Sequence, residues 1–127
     1  MIVGLGTDIV EIARIARLLE KDTDFAARIL GPDEQLEFQR RHAANAERGV
    51  RYLATRFAAK EAFGKAFGTG IAGPVNFQDL QTLNLASGQP VIKTSGALAS
   101  AVQGWQCHVS LSDEKQYAIA TVILEKI

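Results

Sequence analysis

Cysteine is nearly absent: Cys107 stands alone between Gln106 and His108, which rules out an intrachain disulfide and a Cys-x-x-Cys metal pair. A reducing compartment fits that usage. The opening stretch MIVGLGTDIVEI lacks the charged head and long apolar run of a secretory signal. No segment approaches the roughly 20 apolar residues that span a bilayer, so a cytoplasmic protein without membrane association is expected. Net charge is missing too, with 14 basic residues against 14 acidic ones, which speaks against wholesale coating of nucleic acid. There is no repeat and no low-complexity tract. With 47% apolar and 22% charged residues, disorder loses its compositional basis.

What is present fits a single domain over residues 1–127, large enough for a real core. Residues 2–8 alternate as a strand, sending Ile2, Gly4, Gly6 and Asp8 to one face and Val3, Leu5 and Thr7 to the other. Asp8 is expected near that strand's end. Ile12, Ile15, Ala16 and Leu19 recur at helical spacing, leaving Arg14, Arg17 and Lys21 outward. A short helical pattern over 25–30 stops at Gly31-Pro32, and Asp33-Glu34 opens another reaching about His42. Residues 43–49 look like a polar connection before the longest helix, 50–67, which stops at Gly68-Thr69-Gly70. Beyond it, 77–85 and 91–94 predict a hairpin around Ser87-Gly88-Gln89-Pro90, and 97–103 a short helix. A second hairpin is expected from 107–111 and 117–124. The fold class is α+β, a largely antiparallel sheet packed with a long central helix.

That helix carries the chemistry. In "RFAAKEAFGKAFGTG" (56–70), the alanines with Phe63 and Phe67 share one arc, suited to packing on the sheet. Phe57, Glu61, Gly64, Lys65 and Gly68 share the opposing one. A carboxylate and an ammonium one turn apart, beside two missing side chains, make a shelf against which a ligand can lie. An ordinary i,i+4 ion pair is the plainer account of Glu61 and Lys65. Asp8, on a strand face otherwise occupied by Gly4 and Gly6, adds a second uncrowded carboxylate. Two such carboxylates suit a hard divalent cation, and magnesium typically combines them with water and substrate phosphates. Lys65 could then neutralise a pyrophosphate. His108 shares a strand face with Ser110 and Ser112, a polar setting from which an imidazole can donate to phosphate oxygens.

The stretches "GLGTDIVEI", "RFAAKEAFGKAFGTG" and "HVSLSDEKQYAIATVILE" together resemble the holo-acyl-carrier-protein synthases, the small trimeric class of 4′-phosphopantetheinyl transferases, over residues 1 to about 125. The resemblance implies transfer of the phosphopantetheine arm of coenzyme A to a serine of apo-acyl carrier protein, in fatty acid biosynthesis, with adenosine 3′,5′-bisphosphate as the other product. It implies Asp8 and Glu61 as magnesium ligands, Lys65 as a phosphate partner, and Gly64 and Gly68 as the place where coenzyme A approaches the backbone. It further implies Arg56, Pro90 and His108 on the coenzyme, Arg56 and His108 acting across a subunit interface of a homotrimer. Arg14, Arg17 and Arg28 become contacts for an acidic carrier helix. The larger two-lobed transferases carry Asp-x-Glu where Asp8-Ile9-Val10 stands, so water is the expected third ligand. Asp24 lies in a segment that some members make basic, a departure that bears on the carrier-docking surface.

Two other readings remain open on the residues alone. Residues 12–65 hold 11 Lys/Arg against 8 Asp/Glu, which suits a non-catalytic module binding an acidic protein or nucleic acid. A magnesium-dependent phosphohydrolase would use the same carboxylates and need no carrier protein.

Overall fold

A computed structural model describes all of residues 1–127. The chain opens with β1 (Ile2–Glu11), whose alternation buries Gly6 and Val10 and leaves Val3, Leu5, Thr7 and Ile9 exposed. The strand does not end at Asp8. Pairing with the last strand continues to Glu11 opposite Tyr117, which places Asp8 within the ladder, opposite Ala120. α1 (Ile12–Lys21) follows without a loop, buries Ile15, and exposes Arg14, Arg17 and Lys21.

The short α2 (Phe25–Ile29) leads to α3 (Pro32–Ala44), where Pro32 occupies the first turn and the Glu34 carboxylate reaches back to the Gly31 N–H at 3.0 Å. α4 (Ala46–Phe67) begins two residues after α3 ends. The polar connection expected over 43–49 is therefore helical on both sides of Asn45, whose side chain accepts from the Arg48 N–H at 3.2 Å and so caps α4. One capping residue turns the chain where the polarity of the segment suggested a loop.

β2 (Leu80–Asn84) and β3 (Pro90–Thr94) form a two-stranded hairpin. β2 starts three residues later than the pattern suggests, because the Asn76 side chain accepts from the Gln78 and Asp79 N–H groups and folds 76–79 into a turn. Pro90 opens β3. After α5 (Gly96–Ala101) come β4 (Trp105–Asp113) and β5 (Tyr117–Lys126). These join β1 in a sheet of order β1-β5-β4, and every pairing is antiparallel.

α4 lies across the inner face of that sheet. Leu53, Ala54, Ala58, Ala62 and Phe63 are fully buried, as are Ala118, Ala120, Val122 and Leu124 of β5. Small residues on both sides bring the backbones close. A Cβ placed on Gly6 would lie 2.0 Å from the Ala62 carbonyl oxygen, and one on Gly4 would lie 2.0 Å from that of Ala66. The glycines that seemed to leave room beside Asp8 are the seat of the helix itself. α3 is tied to α4 by a fully buried ion pair between Glu34 and Lys60, at 2.6 Å.

Candidate active site

The close approach of β1 and α4 has a chemical consequence. It brings Asp8 beside the helix face that carries Glu61 and Lys65. Lys65 Nζ donates to Asp8 Oδ1 at 3.1 Å and to the Thr7 carbonyl at 3.0 Å. Burial first, then the neighbouring Asp8 charge, holds the Glu61 carboxyl above its ordinary value, while Lys65 and Arg14 pull the other way. Arg14 reaches this locus from α1. Two carboxylates and two cations, from three elements, thus meet at one edge of the helix–sheet contact.

The donor set fits magnesium. Both candidate ligands are carboxylates, and no third Asp, Glu, His or Cys joins them in a cluster able to hold a metal ion. A cation bound there needs water and substrate oxygens for its remaining positions, which is magnesium's habit. The half-buried Glu61 charge lying against Asp8 is also the kind of repulsion that a divalent ion relieves.

Arg56 lies elsewhere on α4. Five positions from Glu61, it is displaced roughly 140° around the helix and about 7.5 Å along it. It is buried, and burial pushes its guanidinium below the ordinary value. Nε donates to the Thr82 carbonyl at 3.1 Å, Nη1 to Thr55 Oγ1 at 3.0 Å, and Nη2 to Asn84 Oδ1. The guanidinium stacks 4.1 Å from the centre of the Tyr52 ring, whose phenol is pushed up to about 12, chiefly by burial. Arg56 and Pro90 line a common cavity of about 300 Å³, together with Arg41, Arg48, Arg51 and Asn84. The three further arginines are not among the expected site residues. A signal was available for two of them: Arg48, Arg51 and Thr55, with Tyr52 and Arg56, recur at three- and four-residue steps along one face of α4, whereas Arg41 comes from α3.

The glycine shelf needs correction. Gly64 is buried, and a Cβ there would lie 2.7 Å from the Gly70 carbonyl carbon and 2.9 Å from its Cα. The chain's own turn fills the space expected for a ligand, with the Gly64 carbonyl accepting from the Gly68 and Gly70 N–H groups, each at 3.0 Å. Gly68 is exposed and caps the helix at φ 103°, a left-handed conformation suited to glycine. Gly64→Ala should therefore lose stability, by about 1–3 kcal/mol, despite alanine's better helix propensity. Thermal melts of the two proteins check this, and a melting temperature equal to or above the parent's would contradict it.

His108 is not brought to Asp8 and Glu61 within one chain. It faces outward from β4, opposite Ile123 and in line with Leu5, with Nε2 3.1 Å from Glu125 Oε1. Asp8 belongs to the row of Ala120 and Leu111, on the inner face. Of the expected carrier contacts, Arg17 pairs with Glu11 at 3.4 Å and Arg28 with Asp22, leaving Arg14 as the one of the three without an ion-pair partner.

Comparison with known proteins gives the family of the chain. The family model described as the 4′-phosphopantetheinyl transferase superfamily matches residues 4–122. The chain belongs to that superfamily. Among its relatives, the holo-[acyl-carrier-protein] synthase of Herminiimonas arsenicoxydans is 52% identical over 129 residues, covering 99% of each chain. The crystal structure of the Neisseria meningitidis holo-[acyl-carrier-protein] synthase superposes with a TM-score of 0.90 at 46% identity, covering 99% of this chain and 100% of that one. The Bacillus anthracis synthase, solved in complex with CoA (3′,5′-ADP), gives a TM-score of 0.85 at 38% identity, covering 100% and 99%. The transferase fold expected from the sequence is thus present over the whole chain. No helix of this transferase is long and apolar enough to cross a membrane.

Proposed function

We propose that this transferase is a holo-acyl-carrier-protein synthase, moving the 4′-phosphopantetheine arm of coenzyme A onto a serine of apo-acyl carrier protein. The serine oxygen bonds to the phosphorus that bears pantetheine, the serine loses its proton, and the bond from that phosphorus to the bridging oxygen breaks. Adenosine 3′,5′-bisphosphate leaves with the oxygen. The convergence of Asp8, Glu61 and Lys65 across β1 and α4 carries the reading. Asp8 and Glu61 would hold magnesium, which when bound supplies Lewis acidity at a pyrophosphate. Lys65, already aimed at this locus and half exposed, offers its ammonium to phosphate oxygens.

Coenzyme A carries a second anionic group, the 3′-phosphate on its ribose. With the pyrophosphate at Asp8, Glu61 and Lys65 of one subunit, the arginine-lined cavity of a neighbouring subunit suits that phosphate, with Pro90 in its wall. Gly68, open at the helix end, is where the coenzyme can run close to the backbone. Isothermal titration of coenzyme A tests the assignment: binding should weaken at least tenfold when magnesium is chelated. Binding that ignores magnesium would overturn the metal role. A purely non-catalytic basic module, the other reading of the charge bias, leaves the paired carboxylates without a task.

The protein is further proposed to act as a homotrimer. Leu5 and Ile9 stand 66% and 59% exposed on the outer sheet face, with Val3, Tyr117 and Ile119 around them, an apolar patch suited to burial against other copies. His108 lies on that face, so a neighbouring copy could receive it beside its own coenzyme. Sedimentation velocity should give a species of three chains, and a single-chain species at working concentration would contradict this. The proposed setting is fatty acid biosynthesis in the cytoplasm, where Cys107 stays a free thiol.

Arg14 links the site to its protein substrate, since it is exposed, unpaired, and close enough to influence Glu61. An acidic carrier helix held by Arg14, with Arg17 and Arg28 beside it, would present its serine at the carboxylate pair. Arg14→Glu is expected to raise KM for the carrier about tenfold or more, and KM for coenzyme A by a clearly smaller factor. Steady-state kinetics with each substrate varied in turn distinguishes the two. Equal changes in both constants would remove Arg14 from the docking surface.

A further inference from the structure

Glu34 and Lys60 are fully buried and bear opposite charges; their side chains make no hydrogen bond to Asp8, Glu61 or Lys65 and do not line the cavity, although Lys60 directly precedes Glu61 in α4. Lys60 uses all three of its N–H donors, on Glu34 Oε1, on the Phe77 carbonyl at 2.7 Å and on the Leu80 carbonyl. Glu34 Oε1 also accepts from the Gly31 N–H, and Oε2 accepts from the Thr82 N–H at 2.8 Å. The same Thr82 residue presents its carbonyl to Arg56 Nε. Beyond Arg56, Asn84 takes Nη2 through Oδ1 and donates from Nδ2 to the Gly88 carbonyl at 2.8 Å, in the turn before Pro90. One continuous polar chain therefore runs from the buried ion pair, through a single strand residue, to the guanidinium and the turn that border the cavity.

A buried ion pair is weak evidence for stability, because desolvating both charges offsets most of their attraction. Here the pair is joined to the first and the middle residue of β2, Leu80 and Thr82, and so fixes the residue that aims Arg56. We infer that Glu34 and Lys60 are positioning residues for phosphate recognition, holding Thr82 so that Arg56 faces the cavity in one orientation. The inference rests on the proposal that the cavity takes the 3′-phosphate of coenzyme A. Planar, forked recognition by a guanidinium depends on its angle, so misalignment should cost affinity for the ligand that carries this phosphate and spare the one that lacks it.

The test compares binding of coenzyme A with binding of 3′-dephospho-coenzyme A by calorimetry, in the presence of magnesium. The parent should prefer coenzyme A, and Arg56→Ala should abolish the preference. If either fails, the cavity does not read the phosphate and the proposed site assignment falls, taking this inference with it. If both hold, Glu34→Leu/Lys60→Met decides the inference alone. This double variant exchanges the pair for apolar side chains of similar size and leaves no stranded charge. It should remain folded by circular dichroism and lose at least about tenfold in coenzyme A affinity. Its 3′-dephospho-coenzyme A affinity should stay within about twofold of the parent's. Equal weakening toward both ligands, or none, would overturn the positioning role. Should the double variant not fold, Glu34→Asp carries the test. It keeps the charge near Lys60 but withdraws the carboxylate from the Thr82 amide, and it should shift the preference in the same direction. Loss of fold in both variants would also overturn the inference, since the pair would then hold the chain together and do nothing more selective.

Discussion

Asp8→Ala and Glu61→Ala are each expected to cut phosphopantetheine transfer by about a thousandfold or more, equivalent to roughly 4 kcal/mol of transition-state stabilisation. Both should keep a native circular dichroism spectrum. Neither side chain belongs to the buried core, and Glu61 sits half-buried against another carboxylate, so its removal takes strain out of the metal-free protein. The combination of lost activity with an undiminished melting temperature separates a reaction-centre role from a structural one. Asp8→Ala also frees Lys65 from its 3.1 Å partner, leaving an ammonium that can still attract phosphate. Coenzyme A should therefore still bind Asp8→Ala measurably. Initial rates at limiting magnesium check the pair, and a variant running near the parental rate would remove that residue from the metal assignment.

Gly6→Ala is expected to have the second largest effect, on stability and activity together. The added Cβ would fall 2.0 Å from the Ala62 carbonyl oxygen and 2.7 Å from the Ala66 backbone nitrogen. Both are backbone atoms of a helix seated in the core, so no side chain can rotate out of the way. β1 and α4 must move apart, at a cost of about 3 kcal/mol or more. The same separation pulls Asp8 away from Glu61 and Lys65. Chemical denaturation and transfer rates measured on one preparation should fall together. A Gly6→Ala protein as stable as the parent would contradict the backbone-on-backbone contact that assembles the site.

The period-2 alternation sorted residues 4–8 of β1 into an inner and an exposed face but failed at Ile2, which stands 61% exposed ahead of a register shift, and the alanine arc of α4 marked the side that packs on the sheet. Both patterns are local and are enforced by water. What failed depends on where distant backbone comes to rest. Gly64 looked like a gap because a helix wheel shows a missing side chain and cannot show the Gly70 turn that folds back into it. The sequence shows Glu34 only as part of a helix's acidic first turn and gives Lys60 no special place, since charged side chains are ordinarily solvent-exposed, and only three-dimensional packing reveals that each satisfies the other. Asn45 could have been read as a cap, but the polarity of its neighbours obscured a helix on either side. Asp8 and Glu61 were legible as candidates through composition of their faces and through resemblance to a known family. Their convergence with Lys65 required the glycine contact between β1 and α4 to be seen.

All of these roles turn on one reaction, transfer of the phosphopantetheine arm by this chain. Mass spectrometry of an apo-acyl carrier protein incubated with the protein, coenzyme A and magnesium tests it directly. The carrier mass should increase by one phosphopantetheine group, with adenosine 3′,5′-bisphosphate formed in equal amount and no gain when the carrier's serine is replaced by alanine. An unchanged carrier mass, or hydrolysis of coenzyme A without modification of the carrier, would contradict it.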